Sequence, residues 1–399
     1  MSVPHPSISR PLTTALALSL GAAVALGLSR FSYGLLLPPM RDDLGWSYLL
    51  AGAMNTCNAL GYFLGALATP ALLRRFGVWR VLMIGSVLAS VFMLMSGFVS
   101  DTTALFLQRI CAGAASALIF IAGGVLAARL GSMHGERAGF IIGLYYGGTG
   151  IGIAASALLV PAALSSAAQH GAAHGWQSAW LALGVACLLA TAVMALPARA
   201  IGEAQLASGP AQRFVVKDFA YGLAGYFLFG AGYIGYMTFV VALLRQQGMS
   251  PRLITVFYTV LGLAVLASSR IWARMLDRYK GGQSLAALNA VLGAATLIPA
   301  LTNAVPLIFI SGLVFGAVFL SVVASTTALV RHNLSPASWS SGISAFTAVF
   351  AFGQIAGPVM VGSIADGPAG LERGLIASSV TLLAGAAVAS RQKALNIKL

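Results

Sequence analysis

Acid is what this sequence has least of. Nine Asp and Glu stand against 23 Lys and Arg in 399 residues, and charged residues of both signs make up 8% of the chain. A soluble domain carries about 25%, so a water-soluble globule of this length is excluded. Cysteine is scarce as well. Cys57, Cys111 and Cys187 lie in apolar runs at spacings that fit neither a metal site nor a disulfide framework, and are expected to be buried as small hydrophobes. The acids Asp42, Asp43, Asp101, Glu136, Glu203, Asp218, Asp277, Asp366 and Glu372 all fall between apolar runs or at their ends. So do His5, His134, His170, His174 and His332. The interior of the runs therefore offers no titratable carrier for a proton and no counter-charge for a cation. No cluster of His, Asp or Cys is available for catalysis, and no segment between runs is long enough for a signalling domain. An enzyme or a sensor is not expected, nor is a cofactor or a metal.

What is present is hydrophobicity. Apolar residues make up 59% of the chain, and the mean hydropathy is +0.89. Apolar runs long enough to cross a hydrocarbon core of about 30 Å as helices recur from Leu12 nearly to the C-terminus. They are too long for barrel strands and lack their alternation. The expected fold is an all-α polytopic membrane protein of twelve spans, at 12–38, 47–73, 80–100, 103–128, 138–160, 176–196, 217–244, 251–273, 283–301, 304–329, 339–364 and 369–390. The polar start of the chain, with Arg10 before the first run, resembles the head of a signal peptide. That run continues through Arg30 and Tyr33 and is read as an uncleaved first span.

The net charge of +14 does not point to nucleic acid, because the basic residues are scattered singly between apolar runs. Their distribution fits the positive-inside rule. With the N-terminus inside, sixteen Lys and Arg fall in cytoplasmic segments and four, Arg41, Arg245, Arg252 and Arg373, in outer loops. Both termini are thus expected in the cytoplasm of a bacterial inner membrane, with the lipid bilayer as surroundings and a monomer as the unit. Residues 197–216, with Gly202, Ser208, Gly209 and Pro210, form the longest linker and divide a first half, 1–196, from a second, 217–399. The halves resemble one another weakly. Gly27-x-x-Arg30-x-x-Tyr33 aligns with Gly230-x-x-Tyr233-x-x-Tyr236, and Arg109-x-x-x-Gly113 with Gly312-x-x-x-Gly316. A parallel repeat of six spans follows.

Three arginines remain inside spans: Arg30, Arg109 and Arg270. An arginine at the centre of a membrane helix costs about 2.5–3.5 kcal/mol on insertion scales, so it normally faces protein or a water-filled cavity. Arg30 and Arg109 both fall roughly 9–12 Å below the outer boundary, at 1.5 Å per residue, and can share one depth. Their forks of donors suit a carboxylate; the alternative for each is a tie to backbone carbonyls between helices. Arg270, near the cytoplasmic end of span 8, is expected to snorkel. Asn55 and Asn58 share a face of span 2 that Tyr62 continues. Tyr226, Tyr233 and Tyr236 follow one another along span 7, and Gln354 sits inside span 11. With Tyr33, Tyr145 and Thr149 these are the candidate substrate contacts, although amides and tyrosines also bond neighbouring helices at about 0.6 kcal/mol each. Gly61-x-x-x-Gly65, Gly143-x-x-x-Gly147 and Gly148 with Gly152 are small-residue faces for close helix packing.

The loop after span 2, Leu73-Arg74-Arg75-Phe76-Gly77-Val78-Trp79-Arg80, resembles the Asp-Arg-x-Gly-Arg loop motif of the major facilitator superfamily. It departs from it in having Arg74 in place of the acid and Pro70 in place of the preceding glycine. The second copy, Leu276-Asp277-Arg278-Tyr279-Lys280, keeps the Asp-Arg pair and loses the glycine. Arg109-x-x-x-Gly113 resembles the span 4 motif, and Gly143 through Gly152 the glycine-rich span 5 motif. More narrowly, the stretches from Arg30 to Pro38, from Tyr145 to Gly152 and from Gly353 to Pro358 resemble the YbfB/YjiJ-like bacterial branch. The resemblance covers essentially the whole chain. It implies alternating access between two halves and a central cavity lined by spans 1, 4, 7 and 10, which makes Arg30 and Arg109 neighbours. It also implies a loop latch involving Arg74, Arg75, Gly77, Asp277 and Arg278, with Gly148, Gly152, Gly357 and Pro358 where the halves rock.

The reading that follows is a secondary transporter of a small organic solute, an organic anion held by Arg30 and Arg109, with a coupling ion or exchange partner. The alternative is an exporter of neutral or amphipathic compounds in which the arginines are structural. Transport that survives Arg109→Gln would favour the alternative.

Overall fold

The computed structural model describes residues 10–134, 138–202, 214–335, 338–368 and 370–395. Among them are twelve helices long and apolar enough to cross a membrane: α1 Pro11–Leu44, α2 Tyr48–Phe76, α3 Val78–Ser96, α4 Thr102–Ser132, α5 Ala138–Gln169, α6 Gly175–Ala200, α7 Val216–Gln246, α8 Pro251–Ser268, α9 Gln283–Leu301, α10 Val305–Asn333, α11 Ser341–Ala365 and α12 Gly370–Ala389. No strand occurs among the described residues. Of the expected linker, residues 203–213 lie outside them, as do Glu136, Arg137, Glu203 and Arg213.

Local chemistry sets the ends. Ser47 accepts from the Leu50 N–H at the start of α2, and Asp101 from the Ala104 N–H at the start of α4, each satisfying an orphan donor of a first turn. Gly45, at φ +64°, stops α1, and Gly77, at φ +81°, separates α2 from α3. Several helices outrun the expected spans. The first continues six residues past Pro38 to Leu44, through two prolines, because lipid sets where a run must be apolar and not where its hydrogen-bond ladder must stop.

The helix pairings repeat at an offset of six. α1 packs on α5 and α6, α2 on α4, α3 on α4 and α6; correspondingly α7 packs on α11 and α12, α8 on α10, α9 on α10 and α12. The first six helices meet the last six through α1 with α7, α2 with α11 and α5 with α8. α1 and α7 are central, with 72% and 89% of their most apolar stretches buried against 33% for α5. The twelve-helix up-and-down course leaves two faces. One, here the terminal face, carries the Lys280, Asn333 and Leu395 segments, which hydrogen-bond one another. The other, the distal face, carries Asp42, Arg245 and Asp366.

Small residues place these contacts, and they correct two expectations. Gly148 and Gly152 do not face the last six helices. A Cβ at Gly148 would overlap the Ser19 carbonyl, and one at Gly152 would lie 2.5 Å from the Ala23 carbonyl oxygen, so both seat α1. The α5 residues facing α8 are Gly147, against Leu266, and Gly150, against Gly262. A step of one residue rotates a helix position by about 100°, which assigns adjacent glycines to different neighbours. Gly357 likewise packs on Ala231 of α7, whereas the Pro358 carbonyl lies against Gly52 of α2. Cysteine is the second correction: Cys187 is buried, Cys57 is half-buried and Cys111 is exposed. Cys111 lies two residues, about 200°, from the inward-facing Arg109.

Candidate functional site

Arg30 sits on an unusual turn. Residues Ala23–Phe31 of α1 form a π-helix, and the Ser32 N–H reaches back five residues to the Gly27 carbonyl at 3.1 Å. Wide turns of this kind are rare and concentrate at functional positions. The local sequence supports it. The Ser29 hydroxyl donates to the Ala25 carbonyl at 2.7 Å and the Ser32 hydroxyl to the Leu28 carbonyl at 2.5 Å, so side chains serve the i−4 acceptors that the widened ladder releases. Gly27 admits the backbone of Gly152, where a Cβ would stand 2.5 Å from the Gly152 Cα.

Both Arg30 and Arg109 are 1% exposed, yet they are held differently. Arg109 Nη1 donates to the Ser29 carbonyl at 2.7 Å, and Nη2 to Asn55 Oδ1 at 3.4 Å. Its guanidinium lies over the rings of Tyr33 and Trp180, at 5.5 and 5.4 Å. Asn55 passes the connection to Thr238 of α7 at 2.7 Å, and Asn58 donates to the Arg109 carbonyl at 3.3 Å. Arg30 has no such ties. Its Nε and Nη2 are buried without a hydrogen-bond partner among the described residues. Its guanidinium lies 5.8 Å from the Tyr62 ring centre. No ion pair among the described residues reaches either arginine.

The tyrosines divide in the same way. Tyr33 donates to the Ala51 carbonyl at 2.7 Å, Tyr145 to the Phe120 carbonyl at 2.9 Å, and Tyr236 shares a hydrogen bond with Ser311 at 2.8 Å. These are helix-to-helix ties. Tyr226 and Tyr233 belong instead to an array of near-parallel rings: Tyr226 on Phe350 at 4.9 Å, Phe229 on Tyr233 at 4.8 Å, Tyr233 on Phe319 at 5.0 Å. Gln354 donates to the Tyr233 hydroxyl at 2.6 Å and leaves its own Oε1 buried without a partner among the described residues. Thr149 Oγ1 and Asn58 Oδ1 are in the same condition.

The expected latch residues lie apart from this centre. Arg74, Arg75, Asp277 and Arg278 are exposed on the terminal face, and no ion pair among the described residues includes them. Arg75 lies over Phe76 and Arg278 over Tyr279. Arg270 does not merely snorkel; it covers the Phe140 ring of α5 at 4.2 Å. Among the described residues, the carboxylates that join the first and last six helices lie on the distal face, where Asp366 accepts from the Tyr48 and Leu49 N–H groups at 2.7 and 2.9 Å and Asp42 pairs with Arg245 at 3.6 Å. Sequence reasoning passed over Asp366, Trp180 and Thr238, none of which carries a local signal. It named Tyr62 only as part of a face, although its spacing from Asn55 and Asn58 placed it there.

Twelve spanning helices, paired in a six-helix repeat around a central α1 and α7 with buried basic and aromatic residues, define a transporter of the major facilitator fold. Solved structures share it at low identity. A bacterial homologue of the human lysosomal transporter Spinster, inward-facing and unoccupied, superposes with a TM-score of 0.72 at 15% identity over 96% of each chain. The nucleoside transporter NupG does so with 0.68 at 13% over 96% of this chain and 99% of its own. The human organic anion transporter MFSD10 does so with 0.65 at 16% over 96% and 99%. A comparison with curated proteins finds no match. The sequence model of the family described as "Uncharacterised MFS-type transporter YbfB" matches residues 22–390. The chain belongs to that family of multi-pass membrane transporters.

Proposed function

We propose that the chain is a secondary transporter that moves a small organic anion across the bacterial inner membrane by alternating access, with Arg30 as the charge partner of the substrate. One observation carries the reading: a guanidinium buried at 1% exposure with two nitrogens unpartnered among the described residues. A buried charge without a partner is strongly unfavourable, and an oxyanion brings the charge and acceptors that Arg30 lacks. Arg109 takes the supporting role, since its Nη1 and Nη2 are engaged by Ser29 and Asn55, leaving Nε without a partner among the described residues. The scarcity of acid in the spans points to exchange, facilitated passage, or a proton carried with the substrate. In this reading both termini are cytoplasmic, the halves 1–196 and 217–399 rock about the centre, a monomer suffices and no chemical step occurs.

A second reading, an exporter of neutral or amphipathic compounds, draws on the ties of Arg109 and on the aromatic array. A thermal-shift screen of the purified protein against small organic anions, cations and neutral amphiphiles separates the two, because a ligand that binds the folded state raises its apparent stability. Organic anions should stabilise the wild type and fail to stabilise Arg30→Gln. Equal stabilisation of both proteins by neutral amphiphiles would sink the anion reading.

A further inference from the structure

Two carbonyls flank Arg30 in the chain, and both are taken by side chains from other helices. The Ser29 carbonyl accepts from Arg109 of α4 at 2.7 Å, and the Phe31 carbonyl from the Tyr258 hydroxyl of α8 at 2.7 Å. Among the described residues, four side chains donate to carbonyls of the Ala23–Phe31 turn. Ser29, Ser32 and Arg109 belong to the first six helices; Tyr258 is supplied by the last six. The need for it is local. Just past the widened turn the ladder tightens, and the Leu35 N–H donates to the Ser32 carbonyl, three residues back, at 3.0 Å. A regular α-helix would send that N–H to Phe31. Tyr258 serves the acceptor that this shift releases, as a buried carbonyl requires. It is fully buried, and Gly34 makes room for it: a Cβ there would stand 3.3 Å from the Tyr258 hydroxyl and 2.5 Å from the Met237 carbonyl oxygen of α7. The Phe31 ring meets that of Phe319 of α10 at 84° and 5.5 Å, so the residue after Arg30 is held by the last six through backbone and side chain alike.

We propose that Tyr258 is a positioning residue for Arg30: its hydroxyl fixes the widened turn from the opposite six, so the guanidinium is aimed for an anion only while α8 stands against α1. This rests on the anion reading above and adds what couples that site to the moving halves. A binding side chain is precise when the groups behind it are held, and the peptide links on either side of Arg30 are held from two directions. In alternating access the sixes part on the face that opens, which draws α8 from α1 and takes the hydroxyl with it. The turn then loses its donor. Because each residue of a helix advances about 100°, a change of one hydrogen-bond step around Arg30 re-aims the guanidinium. The movement that opens the path thus also loosens the grip on the anion.

Isothermal titration of the purified full chain in detergent with acetate, benzoate and succinate tests this. Tyr258→Phe keeps the ring and removes the hydroxyl. Thr56→Val is the matched control, since the Thr56 hydroxyl of α2 also bonds a carbonyl across the sixes, that of Ile355 of α11, at 2.8 Å. Each variant loses one hydroxyl-to-carbonyl bond and should lower the unfolding midpoint to a similar extent. Tyr258→Phe should bind the tightest of the three anions about fivefold more weakly or worse, the equivalent of one such bond, while Thr56→Val stays within about twofold of the wild type. In ligand-free protein, amide exchange over residues 27–36 should quicken about threefold or more in Tyr258→Phe and stay level in Thr56→Val. Binding by Tyr258→Phe within twofold of the wild type, an equal loss in Thr56→Val, or level exchange in Tyr258→Phe each refutes the positioning role, and the anion reading stands as long as Arg30→Gln loses the anion. If Arg30→Gln binds as the wild type does, or none of the three anions binds the wild type, the anion reading falls and the role of Tyr258 falls with it.

Discussion

Arg109 and Arg30 carry the same group at the same burial, and the protein uses them in opposite ways. Arg109 is tied to α1 through the Ser29 carbonyl, to α2 through Asn55 and to α6 through the Trp180 ring; it is a joint among the first six helices. Arg30 is inside the same region and, among the described residues, leaves both Nε and Nη2 without a partner, where Arg109 leaves Nε alone. Breaking a joint of this kind costs stability, whereas a buried cation left unpaired lowers it; in the function proposed above, the second kind is kept for a ligand. The contrast is the strongest argument that this transporter's working centre lies at Arg30.

The largest expected effect comes from unseating the helix that carries both Arg30 and the Ser29 carbonyl. Gly148→Val places a side chain into the Ser19 backbone, and overpacking against a carbonyl is expected to cost about 4 kcal/mol or more. Loss of the monodisperse peak in size-exclusion chromatography should report it; a well-folded variant would show that the α1–α5 seat is not rigid. Next, Arg109→Gln removes the charged hydrogen bond to Ser29 and strands its acceptor, at about 2–3 kcal/mol. A lower thermal unfolding midpoint is the readout, and an unchanged midpoint would erase the difference between the two arginines.

The distal face allows a third comparison. There Asp366, the residue that follows α11, caps the first turn of α2, where a carboxylate is favoured by the free N–H groups and the helix dipole, and Arg245 pairs with Asp42. Asp366→Ala should cost about 0.5–2 kcal/mol, as the loss of a cap does. It should also raise labelling of Ala51→Cys by a membrane-impermeant maleimide, in a background without the native cysteines. Labelling that stays low would show that the cap does not hold this face shut. The smallest effect on stability belongs to Arg30→Gln, whose unfolding midpoint should stay level or rise, because the substitution replaces an unpaired buried charge by a neutral amide. A clear fall would reveal a structural role and weaken the contrast with Arg109.

Much of this architecture was legible in advance, because each span has to satisfy lipid along its own length. Leu12 to Pro38 announces a membrane helix with no reference to its neighbours, and an arginine in it is conspicuous for the same reason. The pairing of Gly148 and Gly152 was legible as packing, but its direction was not. Gly147 and Gly148 differ by one step in the chain and by a whole neighbouring helix in space, and nothing local in composition says which helix stands where. The widened turn at Arg30 had a faint sign in Ser29 and Ser32, two hydroxyls able to serve i−4 carbonyls, which hydropathy does not register. Asp366 looked like an ordinary loop acid because its partners, the N–H groups of Tyr48 and Leu49, lie more than three hundred residues away.

By itself, then, the sequence determined the all-helical membrane class, the number of spans and the burial of two guanidiniums, since these follow from the free energy of single groups in lipid. The tertiary structure decided which guanidinium is hydrogen-bonded, which glycine faces which helix and which ring lies against Arg30. Those are properties of pairs, and a pair exists only once the helices have been brought together.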